Sequence, residues 1–400
     1  MAKPHAFVAL AFVTFGSLVT TGAFAAPGDP DSSKADTAAV APATVPAPDV
    51  TPQIPSTPAD FPRGRISGLV YLDYYYNASG DPRHAYSAAG ADSGQANIDG
   101  VKPITRDLNG VQIRRVYFQL DNDLSPKFAT RFRLEVDGKS LSSDGKIGDF
   151  VKNAYLQVKQ LFTRSDFFVG MIQTPTFENS EEFWGYRSIE KTIVDFRGLA
   201  SSSDLGVELK GFADPDHHFG YAFQVGDGTG QKPETDRYKR LYFSLPVRYG
   251  TFRFEPYLDY QSVRVTPAAI NADQALYKVF AGYELKHTAI GGEAFTRVNH
   301  KGPAATEEPR GLSLWVRQTL SPALAAVARF DQWNPNDRAD NRVDQQFWIG
   351  GLDWQPVKDI HFIPNVEYLH YVDKGTAVGP PHDDVQARVT FYYRFAKPQS

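Results

Sequence analysis

The sequence predicts an all-β fold, a transmembrane antiparallel β-barrel of about 16 strands with long external loops. Three observations lead there. Runs of about ten residues alternate apolar with polar side chains, which is the length and period of a tilted strand crossing hydrocarbon. The connections between runs are alternately short and long. The 400-residue chain is 13% aromatic and yet hydrophilic on average, as strands with one lipid face and one water face require. The only long apolar stretch stands at the start, so a membrane location for the rest demands a closed barrel, because lipid cannot satisfy the edge groups of an open sheet.

Residues 1–25 read as a secretory signal peptide, with Lys3 ahead of an apolar run from Ala6 and the small-residue site Ala23-Phe24-Ala25 at its end. An uncleaved anchor is disfavoured by the short core, interrupted at Gly16 and Ser17. Residues 26–63 are dominated by Pro, Ala, Asp, Ser and Thr without hydrophobic period, which predicts an extended periplasmic linker. The barrel is expected over 64–400. Strand runs fall near 65–77, 111–121, 127–138, 150–160, 165–173, 204–213, 218–226 and 239–249. They continue near 251–264, 276–286, 288–298, 310–320, 322–333, 346–355, 358–371 and 384–395. The third run shows the alternation well: Phe128, Phe132, Leu134 and Val136 share one face, and Arg131, Arg133, Glu135 and Asp137 the other. Tight turns such as Asn122–Pro126, Gly250 and Ser321-Pro322 alternate with long loops, placing both chain ends on the periplasmic side. Prolines 246, 256 and 364 fall inside predicted strands, where each removes a ladder donor. Aromatics crowd strand ends, as in Tyr74-Tyr75-Tyr76, Trp354 and Tyr392-Tyr393, which suits interfacial girdles.

Charge and motifs narrow the function. A formal net charge of -4 and a pI near 6.2 give no basic face for nucleic acid. The absence of Cys removes thiolate metal sites and thiol nucleophiles. No nucleophile elbow or other serine-hydrolase signature stands in the chain, so it reads as a channel and not an enzyme, with a barrel enzyme as the alternative from another class. A carbohydrate-binding β-sandwich fits the alternation but not the short-long rhythm of connections. No cofactor is expected. His217-His218 lacks further ligands at recognised spacing, the Gly226-Asp-Gly-Thr-Gly-Gln-Lys run lacks the full phosphate-loop pattern, and Asp137, Asp144 and Asp149 read as a solvated loop, with a divalent cation or lipopolysaccharide contact as the alternative.

Four stretches carry a family resemblance: Gly110-Val-Gln-Ile-Arg-Arg-Val-Tyr, Val151-Lys-Asn-Ala-Tyr-Leu-Gln-Val, Val169-Gly-Met-Ile-Gln-Thr-Pro-Thr-Phe and Asp204-Leu-Gly-Val-Glu-Leu-Lys-Gly. In order and spacing they resemble the phosphate-selective porin family (types O and P). That resemblance implies an outer-membrane location in a Gram-negative bacterium, contact with lipid and lipopolysaccharide, a homotrimer, and an inward-folded third loop. It also implies passage of small hydrophilic solutes, anions such as phosphate among them, past basic residues that would include Arg114 and Arg115. The third loop, expected over Thr174–Ser203, carries Glu178, Glu181, Glu182, Glu190 and Asp195 against Arg187, Lys191 and Arg197, with Lys191 where the family pattern has arginine. This net acidic loop supports a general or weakly cation-preferring diffusion pore as the runner-up. Arg114, Arg115, Arg131 and Arg133 on adjacent strands are the expected basic arc, since alternation sends strand charges to the lumen.

Overall fold

The computed structural model describes residues 60–81, 104–142, 144–265, 270–301, 304–339, 342–376 and 379–396. The expected signal peptide and most of the expected linker lie outside them. The elements, in chain order, are β1 (Arg63–Ser79), β2 (Asn109–Asp123), β3 (Phe128–Leu141), β4 (Ile147–Phe162), β5 (Ser165–Gln173), α1 (Glu178–Trp184), α2 (Ile193–Phe196), β6 (Ser203–Phe212) and β7 (Gly220–Gly226). Then follow β8 (Arg240–Ser244), β9 (Val247–Tyr249), β10 (Phe252–Gln261), β11 (Arg264–Val265), β12 (Ile270–Asn271), β13 (Gln274–Glu284) and β14 (Thr288–Lys301). The chain ends with β15 (Ala304–Glu307), β16 (Arg310–Ser321), β17 (Leu324–Asn334), β18 (Val343–Val357), β19 (Ile360–Asp373) and β20 (Asp384–Ala396).

Successive wall strands pair antiparallel, and β1 pairs β20 from Ser67↔Ala396 to Ser79↔Val385, which closes the sheet on itself. β8 and β9 are one wall strand in two pieces, and β15 and the β11–β12 hairpin are loop structure. The result is the closed 16-strand barrel that the sequence predicts.

The prolines sit where the ladder is already interrupted. Ser244 pairs Tyr257 and Val247 pairs Phe254, so Pro246 stands opposite Glu255 and Pro256 opposite Leu245, in the gap between β8 and β9. Pro364 falls in the gap of the β18–β19 register between Gly351↔Asn365 and Trp354↔Phe362. The register is the same on both sides of each gap, so each proline interrupts one ladder locally without shifting it.

Burial runs opposite to that of a water-soluble protein. Phe118, Phe132, Val279, Leu314 and Val366 are exposed on the outer face, while Asp73, Glu135, Lys278 and Ser313 are buried on the inner one. Exposed aromatics gather at the turn end (Tyr249, Tyr283, Trp354, Phe395) and again toward the loop end (Tyr74, Tyr260, Tyr368). An apolar band between two aromatic girdles is the surface a bilayer solvates.

Two of the register shifts each bring in an extra cation. The β1–β2 register shifts between Tyr71↔Arg115 and Leu72↔Ile113, which leaves Arg114 as a bulge residue, so the adjacent Arg114 and Arg115 both reach inner-face carboxylates. The β3–β4 register shifts between Arg133↔Asn153 and Leu134↔Val151, which does the same for Lys152. A bulge adds one residue to one strand and re-aims its side chain.

Candidate functional site

The third loop, between β5 and β6, folds into the barrel. Its base closes through the Thr174 amide to Ser202 O at 3.2 Å and Thr174 Oγ1 to Ser201 O at 2.7 Å. α1 ends at Gly185, whose φ of 72° lets the chain reverse in the left-handed region that side chains disfavour. Apolar side chains of the loop then meet the inner wall in two clusters. Phe183, Trp184, Tyr186 and Ile189 pack on Phe280, Trp315, Phe347 and Ile363, and Phe177, Ile193, Val194 and Leu199 pack on Tyr242, Tyr257, Leu276 and Trp333. These clusters hold most of the buried apolar side chains among the described residues.

Wall cations hold the loop by its backbone. Arg114 donates to the carbonyls of Ser188 at 3.1 Å and of Ile189, and Arg388 Nη2 donates to Ile189 O at 3.2 Å. Arg297 reaches Leu199 O, and Arg329 reaches Lys191 O. Lys278, fully buried, donates to Thr176 O and to Ser180 Oγ at 3.3 Å, between Glu255 at 3.5 Å and Glu293 at 3.9 Å. A residue that alternation places in the lumen is therefore in several cases a clamp on the loop.

The sequence-predicted loop charges are all engaged. Glu178 pairs Lys210 at 3.0 Å, Glu181 pairs Arg187 Nε at 2.6 Å, Glu182 meets Arg248 at 3.3 Å, and Glu190 pairs Arg114 at 3.0 Å. Asp195 accepts from Arg187 at 2.7 Å and Lys191 at 3.0 Å. Arg197 donates to Gln345 Oε1 at 2.5 Å. The wall thus lends the loop three cations, Arg114, Lys210 and Arg248, so the acidity counted along the sequence is neutralised in space. Burial, followed by the neighbouring Asp195 carboxylate, pushes Glu181 well above the ordinary carboxylate range. Burial acts the same way on Glu190, but Arg114 and Arg388 beside it outweigh it and hold that carboxyl below its ordinary value.

On β1–β4 the expected arginines come together with further cations. Arg115 pairs Glu135 at 2.8 Å, which also takes Lys152 at 2.9 Å. Arg131 pairs Asp121 at 2.7 Å, and Arg65 meets the same carboxylate at 2.9 Å. Arg133 donates to Gln119 Oε1 at 2.6 Å and lies over the Tyr117 ring at 5.0 Å, with no carboxylate of its own among the described residues. Arg65, Arg131 and Lys159 keep 47%, 28% and 31% of their side chains open. The carboxylates Asp204, Glu208, Glu255, Asp259 and Glu293 across the barrel are sealed at 0–1%. Lys152, Lys278 and Asp73 stand outside the expected set. The first needs the bulge, and the other two fall on the inner face by alternation but take their roles from partners that only the fold supplies, the loop for Lys278 and Arg114 and Arg388 for Asp73.

The loop leaves a cavity of about 670 Å³ on the turn side, lined by Arg164, Glu178, Lys210 and Arg248 among others, and one of about 300 Å³ on the loop side. The remaining motifs resolve locally. Gly228 and Gly230 of the glycine-rich run donate their amides to Asp204 at 2.8 and 3.1 Å, so donors that a phosphate loop would offer a ligand are used within the chain. Asp214, Asp216 and His218 bring ligand atoms within 4.8 Å of one another in a turn where Asp214 already caps the amides of His218 and Phe219. Asp144 pairs Lys146 at 2.7 Å in an exposed hairpin.

No protein-family model and no curated protein matches the chain. Solved structures do. The anion-selective porin from Comamonas acidovorans aligns at a TM-score of 0.60 and 13% identity, over 84% of this chain and 100% of its own. The outer membrane channel DcaP of Acinetobacter baumannii aligns at 0.57 and 14%, over 85% and 99%. OmpT of Vibrio cholerae, an outer membrane protein in trimer form, aligns at 0.53 and 12%, over 83% and 99%. At these identities the likeness is one of fold, the barrel of outer-membrane porins.

Proposed function

We propose that the chain is an outer-membrane pore for passive diffusion of small hydrophilic solutes, with a preference for anions such as phosphate. The observation that carries the preference is the asymmetry of access: Arg65, Arg131 and Lys159 stay 47%, 28% and 31% open against 17% and 27% for their partners Asp121 and Asp123, while Asp204, Glu208, Glu255, Asp259 and Glu293 opposite are buried. An anion passing Arg131 and Arg133 exchanges part of its hydration shell for guanidinium donors, which bind oxyanions in fork geometry. Because Arg131 shares Asp121 with Arg65, its attraction is moderated, as fast exit requires. The motifs shared with phosphate-selective porins support the same solute class. Export through a cleaved signal peptide, a linker at the barrel's periplasmic side and a homotrimer belong to this reading.

A general or weakly cation-preferring pore is the second reading, favoured by Glu182, whose side chain stays 70% open at the loop's rim. The zero-current potential of the purified protein in a planar bilayer under a salt gradient separates the two. Anion selectivity with block by added phosphate supports the proposal, cation selectivity replaces it with the second reading, and absence of conductance removes both.

A further inference from the structure

The loop-side cavity of about 300 Å³ stands apart from the basic arc and has its own chemistry. Arg197, at the end of α2, is the only cation on its wall among the described residues. One guanidinium nitrogen, Nη1, is taken by Gln345 and the group lies over the Phe196 and Trp333 rings at 4.6 and 5.5 Å, but Nε and Nη2 are shielded from solvent with no hydrogen-bond partner. The wall also carries two carboxylates. Glu367 is held by Arg388. Asp384, the first residue of β20, accepts from Tyr371 Oη at 2.6 Å and from the Ile104 amide at 3.2 Å on Oδ2, while its Oδ1 has no partner. The rest of the wall includes apolar surface, with Phe196 and Phe347 stacked at 5.0 Å and Leu369 beside them.

An under-used guanidinium and an under-used carboxylate on one cavity wall, with aromatic faces, make opposite demands on an occupant. A simple anion satisfies Arg197 and faces Asp384 unfavourably, and a simple cation does the reverse. A molecule charged at both ends of a short flat apolar body satisfies both, and its body covers the rings. We propose that this cavity is a binding site for small zwitterions whose carboxylate and ammonium groups lie at opposite ends of an apolar middle. Arg197 takes the carboxylate through its Nε–Nη2 edge after a small turn of the guanidinium, Asp384 takes the ammonium through Oδ1, and Phe196 and Phe347 support the body. The inference rests on the diffusion-pore reading only for the route by which the solute arrives.

The test is isothermal titration calorimetry on the folded full chain in detergent, with 4-(aminomethyl)benzoate as probe and 4-methylbenzoate and 4-methylbenzylamine as its single-ended analogues. Conductance of the same preparation is measured in parallel. The zwitterion binds, and each analogue binds at least tenfold more weakly. Arg197→Gln and Asp384→Asn each weaken the zwitterion at least tenfold, and Arg197→Lys, which keeps the charge without the fork, falls between. Equal affinity for 4-methylbenzoate makes this a plain anion site and overturns the proposal, as does an unchanged affinity in both Arg197→Gln and Asp384→Asn. No binding by a conducting pore sinks the inference alone. Binding by a chain that does not conduct leaves it standing and removes the pore reading. If a variant fails to fold, seen as lost heat modifiability on a gel, the comparison of the three ligands on the unaltered chain still decides.

Discussion

Replacing Lys278 by Met tests whether the inward loop is held by the wall in the way the geometry states. The ammonium stands 3.5 Å from Glu255 and 3.9 Å from Glu293, all three fully buried. With an effective dielectric of about 20, those separations correspond to about 5 and about 4 kcal/mol of attraction, largely offset by desolvation of the three charges. Deleting the cation keeps the desolvation and loses the attraction, so Lys278→Met costs about 3–5 kcal/mol. It also removes the donor to Thr176 O and Ser180 Oγ at the start of α1. The expected result is a matching loss of stability in urea-driven unfolding from lipid vesicles, with larger and noisier single-channel currents as the loop loosens. Adding Glu255→Gln and Glu293→Gln removes the stranded charges and restores stability to within about 1 kcal/mol of the parent, because a neutral, well-packed replacement for a buried ion cluster is close to neutral. Lys278→Met at parental stability and parental current would refute the reasoning.

Exchanging both Arg131 and Arg133 for Glu reverses the open charge on β3 and moves the zero-current potential toward cation selectivity; an unchanged potential would remove them from the selectivity arc. Since Glu181 is raised well above the ordinary carboxylate range and Glu190 is held below its ordinary value, Glu181 loses its charge on acidification before Glu190 does. Anion selectivity therefore rises in a step above the ordinary carboxylate range as pH falls, and Glu181→Gln abolishes that step in a pH series of zero-current potentials. Val279 lies exposed on the outer face of β13, so Val279→Arg costs roughly 2–4 kcal/mol of vesicle-refolding stability if that face meets the bilayer midplane, and almost nothing if it meets water.

The strands were legible because the physics that makes them is local. A period of two, a length of about ten and alternate short turns are written in neighbouring residues. Prolines 246, 256 and 364 weighed against their strands only until the registers showed each at an interruption. The charges were less legible, since sequence shows a charge but not its partner. The third loop counts as acidic along the chain and loses that character when Arg114, Lys210 and Arg248 arrive from β2, β6 and β9. Arg297, Arg329 and Arg388 belong to the lumen by alternation, and the fold turns them to the loop's carbonyl oxygens. Lys152 is readable only through a bulge, which shifts register by one residue and leaves no mark in composition.

The grip on those carbonyls has a consequence for how such a barrel changes over time. Carbonyl oxygens are the same at every residue, so Arg114 and Arg388 hold Ser188 and Ile189 without reading their side chains. The barrel is in that sense a socket that seats the loop by its backbone, and what limits change at Ile189 is its fit against Phe280, Trp315 and Ile363 on the wall, not the grip of the arginines.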